Sequence, residues 1–138
     1  MLQIFLMFYN YSMDKLLNIL TYVIGFIFLL MGLQWLIDPT SAAAGLGMSL
    51  LSGHGLSTQI GDLSSFFLVV GVFTLCAAVK ENTVWLYTPI ALFAFAAVSR
   101  LVAFIFHDAA LSTDKIIVEL VLAGFLFFLA KRKDNSFS

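Results

Sequence analysis

Charge is scarce in this chain. Only 11% of its residues are Asp, Glu, Lys or Arg, against about 25% in soluble domains, so it lacks the polar groups that a water-facing surface needs. The net charge of −1 leaves no basic excess for a nucleic-acid partner. Cysteine is nearly absent: the single Cys76 excludes an internal disulfide and a CxxC redox site. Set in an apolar run, Cys76 reads as a small packing residue. Catalytic motifs are missing as well. There is no Ser-His-Asp arrangement, glycine-rich phosphate loop or HExxH, so nothing points to an enzyme and no cofactor is implied.

What the chain has in quantity is apolar sequence, 62% of 138 residues. The expected class is all-α: an integral membrane four-helix bundle in one domain, with a short interfacial helix between the first and second spans. Residues 1–12 are apolar and aromatic but too short to cross a bilayer, and read as an N-terminal extension or an early start ahead of Met13-Asp14-Lys15. The membrane domain then occupies 13–133 and a polar tail 134–138. A first span is expected at 16–37. Lys15 and Ala42-Ala43-Ala44 mimic parts of a signal peptide, but the apolar core exceeds the roughly 7–15 residues of such a segment. Gln34, Trp35 and Asp38 close this span as interface residues.

Asp38-Pro39 is a helix start, an N-cap followed by proline at the first position, and predicts a short helix at 39–46. Residues 48–60, rich in Gly and Ser and carrying His54 and Gln59, read as a loop. The second span is expected at 61–79, with Asp62, Ser65, Val69, Val72 and Cys76 on one face. Gly61 and Ser65 offer a small-xxx-small pair for close helix approach. The third span, 83–107, includes Pro89 in its early turns as a potential kink. A short connection makes it the antiparallel neighbour of a fourth span at 113–130, capped by Ser112-Thr113-Asp114.

Lys15, Lys80 and the Lys131–Lys133 cluster fall on one side of this topology. The positive-inside rule therefore places both termini in the cytoplasm. Every ionisable group within the spans then lies in the outer half. Arg100 and Glu119 sit at similar depth, with Asp62, Asp38, Gln34, Gln59, His54 and His107 towards the same end. An arginine inside a membrane helix costs roughly 2.5–3.5 kcal/mol on insertion scales, so it needs a partner. Asp62 and Glu119 both qualify, which leaves one carboxylate in surplus to be protonated, solvated or matched by a ligand. His54 and His107 lack a third ligand at metal-site spacing, so no metal site is assigned. Phe93, Phe95, Phe125, Phe127 and Phe128 read as core or lipid-facing residues.

These residues support four functional readings. The first is a binding or accessory protein that holds a small amphipathic or lipid-like ligand at the outer polar cluster, within the lipid bilayer and beside a membrane partner. The second is a proton-coupled small transporter, which at this size requires a homo-oligomer. A quinone-linked redox subunit is the third, with Glu119 or His107 carrying a proton. In the fourth the charges are purely structural.

Gly32-Leu33-Gln34-Trp35-Leu36-Ile37-Asp38-Pro39, Gly61-Asp62-Leu63, Arg100, His107 and Glu119 together resemble a bacterial family of small membrane proteins, domain of unknown function 4345. Its plan is similar to that of DoxX-like bundles. The resemblance spans about residues 16–131 and implies a four-helix inner-membrane bundle without an assigned activity. Gln34 stands where many relatives of that family carry a basic residue.

Overall fold

The computed structural model describes residues 1–136; for residues 2, 3, 5, 6, 8, 10 and 133–136 it describes the backbone alone. Among the described residues every regular element is helical, which suits so apolar a chain because a helix satisfies its own peptide groups. The helices are α1 (Leu2–Ile37), α2 (Pro39–Gly45), α3 (Gly53–Lys80), α4 (Tyr87–Phe106) and α5 (Thr113–Ser136), with a 3-10 turn at Thr83–Leu86. Three stretches are long and apolar enough to cross a membrane: Tyr11–Ile37, Gly53–Lys80 and Thr83–Phe106. The α5 segment differs in charge. Its stretch 113–130 holds Asp114, Lys115 and Glu119.

The chain divides into two compact units, Met1–Lys80 and Glu81–Ser138. In the first, α1 and α3 lie against each other so closely that glycine is required. A Cβ on Gly71 would sit 2.5 Å from the backbone nitrogen of Leu29 and 2.9 Å from the Gly25 carbonyl. Gly25 and Gly32, seven residues apart, receive Leu75 and Leu68 in the same way. The pairs 25 with 75, 29 with 71 and 32 with 68 run in opposite directions along the two helices, which fixes an antiparallel register. This is the small-residue seam that membrane helices use to bring backbones together.

The seam is not at Gly61 and Ser65. A Cβ on Gly61 would meet nothing within 4 Å, and Ser65 is exposed. The buried face of α3 carries Phe67, Val70, Gly71, Thr74 and Ala78, while Asp62, Ser65 and Val72 lie on its exposed face. Sequence alone showed a small-residue pair, but not which face met α1.

Two boundaries also differ from expectation. Residues 2–12 are the first turns of α1, a helix of 36 residues and so about 54 Å long; Asp14 and Lys15 sit inside it rather than before it. The α3 helix begins at Gly53, eight residues early, so that His54 and Gln59 are helical and the connection shrinks to 46–52. Glycine and serine lower helix propensity by less than about 1 kcal/mol each, which tertiary contacts overcome.

Helix α2 starts as its sequence dictates. The Asp38 side chain accepts a hydrogen bond from Ser41 N–H at 3.1 Å, with Pro39 in the first turn. It ends in a Schellman motif: Gly47 N–H donates to the Ala44 carbonyl and Met48 N–H to that of Ala43, with Gly47 at φ +70°. The helix covers Trp35, which is 1% exposed and packs with Ala42, Ala43 and Phe67. Trp35 is therefore a core residue of the first unit rather than an interface anchor. Burial of so large a ring contributes more than its indole N–H would gain at an interface.

In the second unit α4 and α5 pack together, with the 3-10 turn against both. Pro89 falls in the first turn of α4, where no intrahelical N–H is needed, and so it begins the helix rather than kinking it. Phe93 and Leu126 are buried, whereas Phe95, Phe127 and Phe128 are exposed. The polar tail continues α5 to residue 136; residues 137 and 138 lie outside the described residues.

Candidate functional site

Arg100 stands six residues before the end of α4, and Glu119 six residues after the start of α5. In an antiparallel pair this puts both about 9 Å below the connection, at one depth. Arg100 Nε donates to Glu119 Oε1 at 2.8 Å, a charge-assisted hydrogen bond within the usual range. The two partners differ in burial: the Arg100 side chain is 40% exposed and that of Glu119 10%.

The stoichiometry is uneven. A guanidinium has five N–H donors, and Glu119 takes one. On the other side, Glu119 Oε2 is buried and has no hydrogen-bond partner among the described residues. An orphaned carboxylate oxygen in an apolar setting is costly, so the pair is incomplete as a purely structural clasp. Near the mouth of the same helix pair, Lys115 Nζ lies 3.2 Å from Asp114 Oδ2, which neutralises the two charges in the first turn of α5.

His107 caps the C-terminus of α4 through its backbone N–H to the Ala103 carbonyl, and its side chain is exposed. Asp108 follows with φ +51°, a left-handed turn position that Asp tolerates better than most residues. The remaining candidates belong to the first unit, and each has its own setting there. Gln34 and Asp62 are exposed. Asp38 caps α2, and its carboxyl is held below the usual range by the Ser41 hydroxyl and backbone N–H.

Gln59 is the largest departure from expectation. It is 7% exposed, and its amide clips the preceding connection: Oε1 accepts from Leu51 N–H at 3.0 Å and Nε2 donates to the Ser49 carbonyl at 3.1 Å. Both ends of the side chain thus hold backbone of the connection. Its partners, Leu51 and Ser49, depend on a helix start that sequence misplaced. Among the described residues no group of three His, Cys, Asp or Glu side chains comes together to hold a metal ion.

No family model, curated protein or solved structure matches this chain.

Proposed function

We propose that this is a four-span inner-membrane protein that binds a small amphipathic ligand, with Arg100 as the residue that meets its anionic or carbonyl group. The observation that carries the reading is the uneven pair. Arg100 is fixed at Nε by a buried carboxylate and keeps four N–H donors on a side chain that is 40% exposed. A guanidinium oriented in this way is prepared for a planar oxygen-bearing group. The flanking α4 and α5 residues, including Val98, Leu101 and Val118, are apolar and exposed, which suits an alkyl portion beside the polar contact.

In this reading α5 is the fourth span. Its charges support that assignment, because Asp114 and Lys115 pair in the first turn and Glu119 pairs with Arg100. What remains is the apolar run Ile116–Ala130 with one matched charge. Lys15, Lys80 and Lys131–Lys133 then favour cytoplasmic termini. Kinship with the family of domain 4345 belongs to the same proposal, as does a homo-oligomer or a place beside a larger membrane complex.

The test is native mass spectrometry of protein extracted gently from membranes. A co-purifying small molecule is expected on the wild type and is lost on Arg100→Gln. A wild-type protein that carries nothing, or an adduct indifferent to the substitution, overturns the reading.

A further inference from the structure

From Pro39, through α2 and the connection and into the first turns of α3, the chain runs 22 residues, 39–60, without an Asp, Glu, Lys or Arg. Its connection, 46–52, presents Met48, Leu50 and Leu51 as exposed apolar side chains. A polypeptide loop in water ordinarily has the opposite character: polar side chains, with solvent satisfying the backbone. Here more than half of the connection's N–H groups are satisfied from within. The N–H groups of Leu46, Gly47 and Met48 donate to α2 carbonyls, and the side chain of Gln59 takes the Leu51 N–H and donates to the Ser49 carbonyl. Burying a glutamine to hold peptide groups that water could serve is an arrangement suited to an environment where water is scarce.

The geometry points to the connection as a membrane wedge: Met48, Leu50 and Leu51 insert into the boundary between headgroups and acyl chains of the bilayer. This rests on the proposal that the long helices cross the membrane. The occupant follows from the tethering. The segment is anchored at both ends by stretches long and apolar enough to span, Tyr11–Ile37 before it and Gly53–Lys80 after it. Fifteen residues separate those stretches, eight of them within α2 or its Asp38 cap, so the loop stays near the bilayer edge. Exposed Ile37, at the end of α1, extends the same apolar character to the start of the segment. The first turns of α3 are different: His54, Ser57 and Thr58 are exposed and polar, so on that side the exposed apolar surface stops at the connection. Gln59 shapes the wedge by fixing both sides of Leu50.

The experiment places nitroxide labels at Met48→Cys and Leu50→Cys, in a Cys76→Ala background, in vesicles of phosphatidylethanolamine and phosphatidylglycerol. Collision rates with oxygen and with a water-soluble nickel chelate give the depth of each label. A label at Phe26→Cys, on an exposed position of α1, reports the spanning helix itself, and one at Ser57→Cys reports water. Labels at 48 and 50 are expected to follow Phe26 in favouring oxygen, at a shallower depth. Gln59→Leu is expected to raise label mobility at 50 and its access to the chelate. Chelate access at 48 and 50 equal to that at 57, with Phe26 shielded, overturns the wedge and leaves the membrane reading intact. Chelate access at Phe26 as well overturns both. A Gln59→Leu protein that folds and leaves the label at 50 unchanged removes the clip from the account, and the depth of the label with Gln59 in place decides the wedge by itself.

Discussion

The two halves of the chain hold their helices by different means. In the first, α1 and α3 meet backbone to backbone at Gly25, Gly32 and Gly71, where nothing larger than hydrogen fits. In the second, the one glycine of α5, Gly124, would meet nothing if given a Cβ. There α4 and α5 pack through apolar residues such as Phe93, Ala97 and Leu126, and the Arg100–Glu119 pair joins them as well. Glycine contacts depend on shape and have no spare bonding capacity. An arginine pair is directional and leaves donors over. Under the proposed function, the first unit is the scaffold and the second carries the ligand contact.

Substitution of the two glycines should separate these roles. Gly71→Ala drives a methyl into the Leu29 backbone, which cannot retreat as a side-chain end could. A loss of about 2–3 kcal/mol is expected, read as a lowered midpoint of unfolding in detergent. Gly124→Ala, with open space around it, should instead gain about 0.5–1 kcal/mol from helix propensity. Equal effects of the two changes would erase the distinction between the halves.

The smallest expected effect is at Asp38. Its carboxyl is held down by Ser41, so the charged form is bound more firmly in the folded chain than in the unfolded one. The cap is therefore fully present above the ordinary carboxylate pKa and is lost as pH falls through the lowered value. Amide exchange in α2 should accelerate only in that acid window, and in Asp38→Asn the acceleration should disappear. Acid-sensitive exchange that persists in Asp38→Asn would place its cause elsewhere.

How much of this could be read from residues alone depended on the range of the interaction. The Asp38-Pro39 start of α2 is local, and it is present as expected. Arg100 and Glu119 could be matched in depth because a short connection makes residue counting reliable. The Gly25–Gly32–Gly71 seam could not be read that way. Any of the glycines in α1 and α3 satisfies a small-residue pattern, and only the register of one helix on the other selects Gly71 over Gly61. Trp35 carried the composition of an interface residue, but α2 folds over it. Gln59 resembled a polar lining group until the start of α3 moved back to Gly53 and gave its amide the Leu51 and Ser49 backbone to hold.

In the proposed function the Arg100–Glu119 pair serves a ligand and is more than a brace between helices. A double-mutant cycle on Arg100→Gln and Glu119→Gln, with stability and bound small molecules measured on the same preparations, tests it most directly. Each single change should destabilise the protein, and the double change should recover part of the loss, a coupling of about 1 kcal/mol. The double variant, though restabilised, is expected to carry no ligand. A double variant that regains stability and keeps the wild-type complement of bound molecules would contradict it and leave the pair as a brace.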